Sequence, residues 1–147
     1  IAGHGEEVPA LAGLARAWGA ELLVLTPDER TAAACGSEAV LLRTRAAHPA
    51  LVLDRWSALV MLFHDHDWET ALLRQALAQE ALFIGAMGSA RTHANRLAAL
   101  EAAGVSEEQA ARVCGPIGLI PAARDPQTLA LSVLSEVVAK WQYRRTD

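Results

Sequence analysis

The sequence predicts an α/β fold: a doubly wound, mainly parallel sheet flanked by helices in three layers. Short apolar runs alternate along the chain with longer stretches of helical periodicity. Several of these runs are continuously apolar, as in strands that are buried on both faces. Two glycine-rich turns, at residues 3–5 and 85–88, each come directly before a predicted helix. The length of 147 residues fits one domain, so we assign residues 1–147 to it.

The first elements follow the order glycine turn, helix, strand. A helix is predicted over about residues 7–18, and Gly19 is suited to ending it. The run Leu22–Leu25 predicts a buried strand that turns at Thr26-Pro27-Asp28. Only two residues precede the first glycine turn, so we expect the first strand of this βαβ unit to be truncated.

The later elements continue the alternation of strands and helices. Strands are predicted at residues 40–42, 58–63 and 81–84, a turn at 50–53, and helices at about 68–78 and from 89 to about 103. Ser106 and Gln109 form a capping box for a short helix. The last helix is predicted to start at Asp125-Pro126. We expect it to direct five apolar side chains inward and to support a homodimer: Leu129, Val133, Leu134, Val137 and Val138.

Composition limits the classes of function. Hydrophobic residues make up 52% of the chain, but no run approaches the roughly 18 apolar residues of a membrane-spanning helix. Nothing is typical of a signal peptide, and two cysteines are too few for a disulfide framework. A net charge of -4 gives no general attraction to nucleic acid or anionic membranes. We therefore predict a cytoplasmic protein that binds neither nucleic acid nor membranes.

The first glycine turn, Gly3-His4-Gly5, is a candidate anion site. Glycines there allow a tight turn, and the free amides of the following helix favour a phosphate. Three features oppose dinucleotide binding: Val8 at the third fingerprint position, the acidic Glu6 beside the turn, and Thr26 where a ribose-binding carboxylate is expected. Asp28 is the nearest carboxylate. The alternative is a relic of the fold without a ligand.

The segment His64-Asp65-His66-Asp67 follows the most apolar strand, at the sheet edge where open α/β sheets bind ligands. Histidines two residues apart on a strand point to one side, which permits a metal pair. We favour the simpler interpretation that Asp67 caps the next helix and the histidines bond to the loop backbone. No metal site is therefore assigned.

The segment from Gly85 to Thr92 is the most informative. A strand leads into a glycine turn, and Ser89 then begins a helix whose first turn holds Arg91 and Thr92. Hydroxyls, a guanidinium and free amides suit a phosphate or a similar oxyanion. Capping by Ser89 with a solvated Arg91 is the equally weighted alternative. The sequence shows no catalytic constellation, such as a G-x-S-x-G elbow or an activated cysteine.

Three blocks together resemble the C-terminal Rossmann-like domain of the XdhC/CoxI family. Residues 63–67 resemble its T-H-D-H segment, with Phe63 in place of threonine, and residues 83–92 resemble Y-I-G-x-x-G-S-R-R-T, with Ala90 in place of one arginine. Residues 116–132 are similar to P-I-G-L-x-x-G-A-R-T-P-E-E-I-A-L-S. In the first turn, Glu6 replaces the histidine that usually follows G-A-G. The resemblance covers nearly the whole chain, without the further N-terminal domain that family members commonly carry.

The resemblance implies a maturation factor rather than a catalyst. It would bind the molybdenum cofactor, a pterin dithiolene with a phosphate, and deliver it to a molybdenum hydroxylase apo-enzyme such as xanthine dehydrogenase. We expect both glycine turns to contribute amides to one anion pocket. The expected ligand contacts are Gly3, Gly5, Gly85, Gly88, Ser89, Arg91, Thr92, His64, Asp65 and His66. The alternatives are an oxidoreductase-like domain that binds NAD(P) or another nucleotide, and an interaction module without a ligand.

Overall fold

A computed structural model describes residues 1–146 and confirms the Rossmann-like α/β fold, as a six-stranded, all-parallel sheet with flanking helices. The strands are β1 Ala2–Gly3, β2 Val24–Thr26, β3 Ala39–Leu41, β4 Ala58–Leu62, β5 Phe83–Ala86 and β6 Val113–Cys114. The helices are α1 Glu7–Trp18, α2 Glu29–Cys35, α3 Glu69–Leu77, α4 Ala90–Ala102, α5 Glu107–Ala110 and α6 Pro126–Thr146. Single 3₁₀ turns lie at Gly36–Glu38 and His66–Trp68. The chain forms two compact units, residues 44–117 and the remainder.

In the first unit the strand order is β3-β2-β1, with Leu25 of β2 opposite Ala2 and Val40. Helix α1 has the predicted bounds, and Gly19 ends it in the left-handed conformation at φ 99°. Strand β2 starts at Val24, two residues after the start that the apolar run predicts, because Val24 is the first residue that pairs with β3.

Helix α6 packs against α1, where Trp18 and Trp141 meet edge to face with ring centroids 5.2 Å apart. Of the five side chains predicted to point inward from α6, only Val133 is fully buried, and the other four are half-buried. Ala130 and Ser132 occupy the buried positions instead. The buried face of this helix is therefore narrower, and formed by smaller side chains, than the apolar pattern predicts.

In the second unit the strand order is β4-β5-β6, with Ile84 of β5 opposite Leu59 and Val113. Strand β5 begins at Phe83, two residues after the predicted start, because its pairing with β4 runs from Phe83 to Ala86. The capping box of Ser106 and Gln109 is confirmed at the start of α5. Within residues 1–146, no helix is long and apolar enough to cross a membrane.

The segment between β3 and β4 contains the predicted turn at residues 50–53, and two glutamines hold it: Gln75 of α3, and Gln79, which follows that helix. Gln75 accepts from the His48 amide at 2.8 Å and donates to the carbonyls of His48 and Leu51. Gln79 accepts from the Leu53 amide at 2.9 Å. Side-chain amides thus replace the regular backbone pairing that this segment lacks.

Candidate functional site

The first glycine turn is closed by a hydrogen-bond chain inside its own unit. Gly5 has φ 95°, and its amide donates to Thr31 Oγ1 at 3.1 Å. The Thr31 hydroxyl in turn donates to Asp28 Oδ2 at 2.6 Å. Gly3 is the last residue of β1. Because the Gly5 amide already has an acceptor, a ligand must displace Thr31 to use it, and the assignment of Gly3 and Gly5 stays a prediction.

Asp28, the carboxylate nearest to the expected ribose position, serves as the N-cap of α2. It accepts from the Thr31 amide at 2.8 Å as well as from the Thr31 hydroxyl. These bonds from Thr31 are the main reason that the pKa of Asp28 lies below its ordinary value. Thr26 is fully buried and accepts from the Asp28 amide at 3.2 Å. Both side chains therefore stabilise the turn between β2 and α2.

The second glycine turn opens α4, and Ser89 caps that helix, as the alternative interpretation of this segment expects. Ser89 Oγ accepts from the Thr92 amide at 3.1 Å and lies 3.0 Å from Thr92 Oγ1. Gly88 precedes it at φ 133°, where a Cβ would lie 2.8 Å from Thr92 Cγ2. Gly88 and Ser89 are both exposed. Capping does not remove the hydroxyls from this surface, so the turn still presents them together with the first amides of α4.

Arg91 is exposed on the first turn of α4. Across the described residues 1–146, its guanidinium takes part in no hydrogen bond and no ion pair. A planar cation with five donors is therefore available to solvent beside two hydroxyls and a helix N-terminus. This is the donor set that a phosphate requires.

Gly85 has a packing role in β5. It is buried, and a Cβ there would overlap the ring of Phe83 and lie 2.6 Å from Ile117 Cγ2. The absence of a side chain thus makes room for these two neighbours. A ligand contact by Gly85 stays a prediction.

Asp65 caps the 3₁₀ turn in the histidine segment after β4, whereas the sequence pattern predicted Asp67 as the cap of the next helix. Asp65 Oδ1 accepts from the Asp67 amide at 3.1 Å at the start of the 3₁₀ turn, and α3 begins without a side-chain cap. The difference arises because the chain inserts this 3₁₀ turn before α3. Asp65 also accepts from Arg45 Nη2 at 3.3 Å, and Asp67 lies 3.6 Å from Arg45 Nη1.

Arg45 and Phe63 each lie near the ring of Trp68 in the same segment. The guanidinium of Arg45 lies 5.4 Å from the centre of the Trp68 ring, and the buried Phe63 ring stacks on that ring at 6.3 Å. His64, Asp65 and His66 remain exposed. Among residues 1–146, no group of three histidine, cysteine or acidic side chains could hold a metal ion.

A buried ion pair that the sequence pattern did not predict joins α3 to α4. Measured over the whole residue, Glu69 and Arg96 are 1% and 5% exposed. Arg96 donates through Nε to Glu69 Oε2 at 2.8 Å and through Nη2 to Glu69 Oε1 at 3.2 Å. The same Nη2 donates to the Met87 carbonyl at 2.7 Å, next to Gly88. One signal was available: Arg96 stands four residues before Leu100, on the buried face of α4.

Two histidines extend this ion pair. His66 Nδ1 lies 3.2 Å from Glu69 Oε2, which connects the histidine segment to α3. His93 Nδ1 lies 3.3 Å from Arg96 Nη1. Burial, and then the charge of Arg96, lower the pKa of His93, which favours the neutral ring that can accept this bond.

Comparison with known proteins agrees with the resemblance drawn from the three blocks. The XdhC Rossmann domain matches residues 1–137. The chain is 36% identical over 116 residues to the molybdenum cofactor insertion chaperone PaoD of Escherichia coli strain K12. The matched segment covers 79% of this chain and 36% of PaoD.

A solved structure described as a xanthine dehydrogenase from Bacillus halodurans superposes on this chain with a TM-score of 0.71 at 18% sequence identity. The match covers 98% of this chain and 42% of the other chain. This likeness shows the fold. The chain thus spans less than half the length of either relative. None of these similarities supports binding of NAD(P). With a family match that extends over nearly all of its length, the chain belongs to the XdhC Rossmann-domain family.

Proposed function

We propose that this chain binds the molybdenum cofactor through its phosphate and assists its insertion into a molybdenum hydroxylase of the xanthine dehydrogenase type. Family membership and the similarity to a molybdenum cofactor insertion chaperone support the cargo and the role. In this proposal the cofactor is carried as a substrate for delivery. The chain acts as a maturation factor, which agrees with the lack of a catalytic constellation in its sequence.

The observation that carries the proposal is that Arg91, beside the Ser89 cap, has no side-chain partner within residues 1–146. A phosphate monoester needs several donors with a converging arrangement, and cations add strong, charge-assisted bonds. The turn offers the Arg91 guanidinium, the hydroxyls of Ser89 and Thr92, and the first amides of α4. These residues therefore fit the phosphate end of the cofactor.

The exposure of this turn suits a carrier. Water competes for exposed donors, so a phosphate held there is bound less tightly than one in a desolvated pocket. A protein that must pass its ligand to another protein needs such reversible binding. In the same unit, we propose that His64, Asp65 and His66 contact the pterin or the recipient enzyme.

Gly3 and Gly5 are kept as proposed ligand contacts at the first glycine turn, within their own unit. Binding at Gly5 requires its amide to exchange Thr31 for a phosphate oxygen. This exchange predicts a large change in the amide ¹⁵N chemical shift of Gly5 when the cofactor is added. An unchanged signal at saturation would remove Gly5 from the binding site.

Binding of a fluorescent oxidised pterin derived from the cofactor tests the role of the phosphate. The probe is used with its phosphate and after dephosphorylation, and NADPH is titrated in parallel. We expect tight binding of the phosphorylated pterin only. Equal affinity for both pterins contradicts the phosphate site, and tight binding of NADPH without the pterin contradicts the maturation role. Binding of none of them would favour an interaction module.

Arg91→Ala tests the proposed cation. Loss of one charge-assisted contact is worth about 1.5–3 kcal/mol, so affinity for the phosphorylated pterin should fall about 10- to 150-fold. Arg74→Ala is the matched control, because Arg74 is also exposed, lies on α3 and has no side-chain bond within residues 1–146. If both variants bind equally well, Arg91 does not contact the phosphate.

The proposed homodimer concerns the outer part of α6. Leu131 and Tyr143 are 52% and 73% exposed on this helix. Light scattering across a concentration series measures the state of association. A monomer at every concentration would contradict the dimer and leave the cofactor proposal untouched.

A further inference from the structure

We infer that Glu69 and Arg96 are positioning residues that fix the Met87–Ser89 segment for the incoming phosphate. The inference rests on the proposed function for its ligand, and on the hydrogen bonds of the second unit for its geometry. Neither side chain needs to touch the ligand, since both are buried beneath the turn that presents the donors.

Met87 is held at both of its peptide groups. Its amide donates to the carbonyl of Met61 in β4 at 3.0 Å. Its carbonyl accepts from Arg96 Nη2 at 2.7 Å. The peptide bond that carries this carbonyl also carries the Gly88 amide, so the bond to Arg96 sets the direction in which the turn begins. Gly88 follows at φ 133°, and the backbone bends there before Ser89.

Glu69 orients the guanidinium that makes this bond. Two parallel bonds, at 2.8 and 3.2 Å, fix the plane of Arg96, so its remaining donors point in set directions. Removing two charges from water is costly, and such a pair repays that cost only with this type of geometry. The Glu69 carboxylate also lies 3.2 Å from His66 Nδ1. The pair therefore connects the glycine turn to the histidine segment.

Arg96→Lys separates positioning from simple stability. A lysine keeps the charge opposite Glu69, but its single nitrogen cannot reproduce the planar fork that also reaches Met87. Arg112→Lys is the matched control, because Arg112 also bonds to backbone carbonyls in this unit, at Leu77 and Gln79, away from the turn. Both variants are measured at a temperature where circular dichroism shows them fully folded.

The first measurement is amide hydrogen exchange and ¹⁵N chemical shift at residues 87–89 without ligand. We expect faster exchange and shifted signals in Arg96→Lys and wild-type values in Arg112→Lys. Wild-type values in both variants overturn the inference, whether or not any ligand binds. The chemical shifts report the local geometry of the turn, which a change in global stability alone would not alter in a folded variant.

The second measurement is affinity for the phosphorylated pterin. We expect binding to Arg96→Lys to weaken about fivefold, the change that corresponds to one lost hydrogen bond of ordinary net strength. The dephosphorylated pterin should bind both variants equally. Equal affinity of Arg96→Lys and Arg112→Lys for the phosphorylated probe overturns the positioning role. If the wild type itself fails to bind that probe, the proposed function fails, and the exchange measurement still decides the inference.

Discussion

Replacing Arg96 by methionine is expected to destabilise the fold by about 3–5 kcal/mol, the loss that accompanies removal of one partner from a buried ion pair. The structure supports a value in this range. The side chains of Arg96 and Glu69 are each 2% exposed, so water cannot replace the missing partner. The Met87 carbonyl loses its bond to Arg96 at the same time.

A double variant separates the two parts of this loss. Glu69→Leu combined with Arg96→Met removes both charges and fills the space with apolar groups, which is often close to neutral. The unpaired Met87 carbonyl then remains, at a cost of about 1–3 kcal/mol. The contacts of His66 with Glu69 and of His93 with Arg96 are lost as well. The double variant should therefore be more stable than Arg96→Met alone, although it carries one more substitution.

Urea unfolding followed by circular dichroism measures these differences, and thermal unfolding provides a second estimate. A loss of 3–5 kcal/mol should lower Tm by about 10 °C or more in a domain of this size. Arg112→Met is the control, because Arg112 bonds to carbonyls without a buried carboxylate partner. The reasoning is refuted by a loss below about 1 kcal/mol for Arg96→Met, or by a double variant that is less stable than this single variant.

Two further predictions concern stability. Gly85→Ala should lower the free energy of unfolding by about 1–3 kcal/mol, because the new Cβ would overlap Phe83 and Ile117. The control is Gly13→Ala, which should stabilise α1 because a Cβ at Gly13 meets nothing within 4 Å. Equal stability of the two variants in urea unfolding would contradict the overlap at Gly85. The pKa of Asp28 is lower in the folded protein than its ordinary value, so the charged carboxylate stabilises the fold as the cap of α2. This stabilisation is fully present above the ordinary pKa of about 4 and is lost as the pH falls through the lower pKa of the folded state. Asp28→Ala should therefore be less stable than wild type at pH 7, with a difference in Tm that shrinks toward pH 3, and a difference independent of pH would contradict this role.

The fold could be predicted from local patterns because most of its elements are encoded locally. Helix α1 and its end at Gly19 follow from apolar spacing and one glycine, and the box of Ser106 and Gln109 follows from two residues three apart. The starts of β2 and β5 were predicted too early, because a strand begins where a neighbouring strand can pair with it. Val24 pairs with Ala39, and that partner is not visible in the apolar run itself.

The candidate site was predictable where its contacts are local. The cap by Ser89 involves a residue three positions away and is confirmed. The bond from Gly5 to Thr31 spans 26 residues, and the pair of Glu69 and Arg96 spans 27. Such contacts depend on which helices the fold places together, so spacing alone could not identify them. A charged residue on a buried helical face indicates that a partner exists, but it does not name the partner.

The two glycine turns differ in whether their hydrogen-bond donors already have acceptors within the protein. This difference predicts which of the two turns binds an anion more tightly. At the first turn, Thr31 already accepts from Gly5, and the carboxylate of Asp28 stands behind it. A phosphate offers a charge-assisted bond of about 1.5–3 kcal/mol in place of a neutral one of about 0.5–1.5 kcal/mol, but repulsion from Asp28 opposes this gain. At the second turn, Arg91 has no partner to displace within residues 1–146. Phosphate should therefore bind first at Ser89–Thr92, and the Gly5 amide should respond only at higher occupancy.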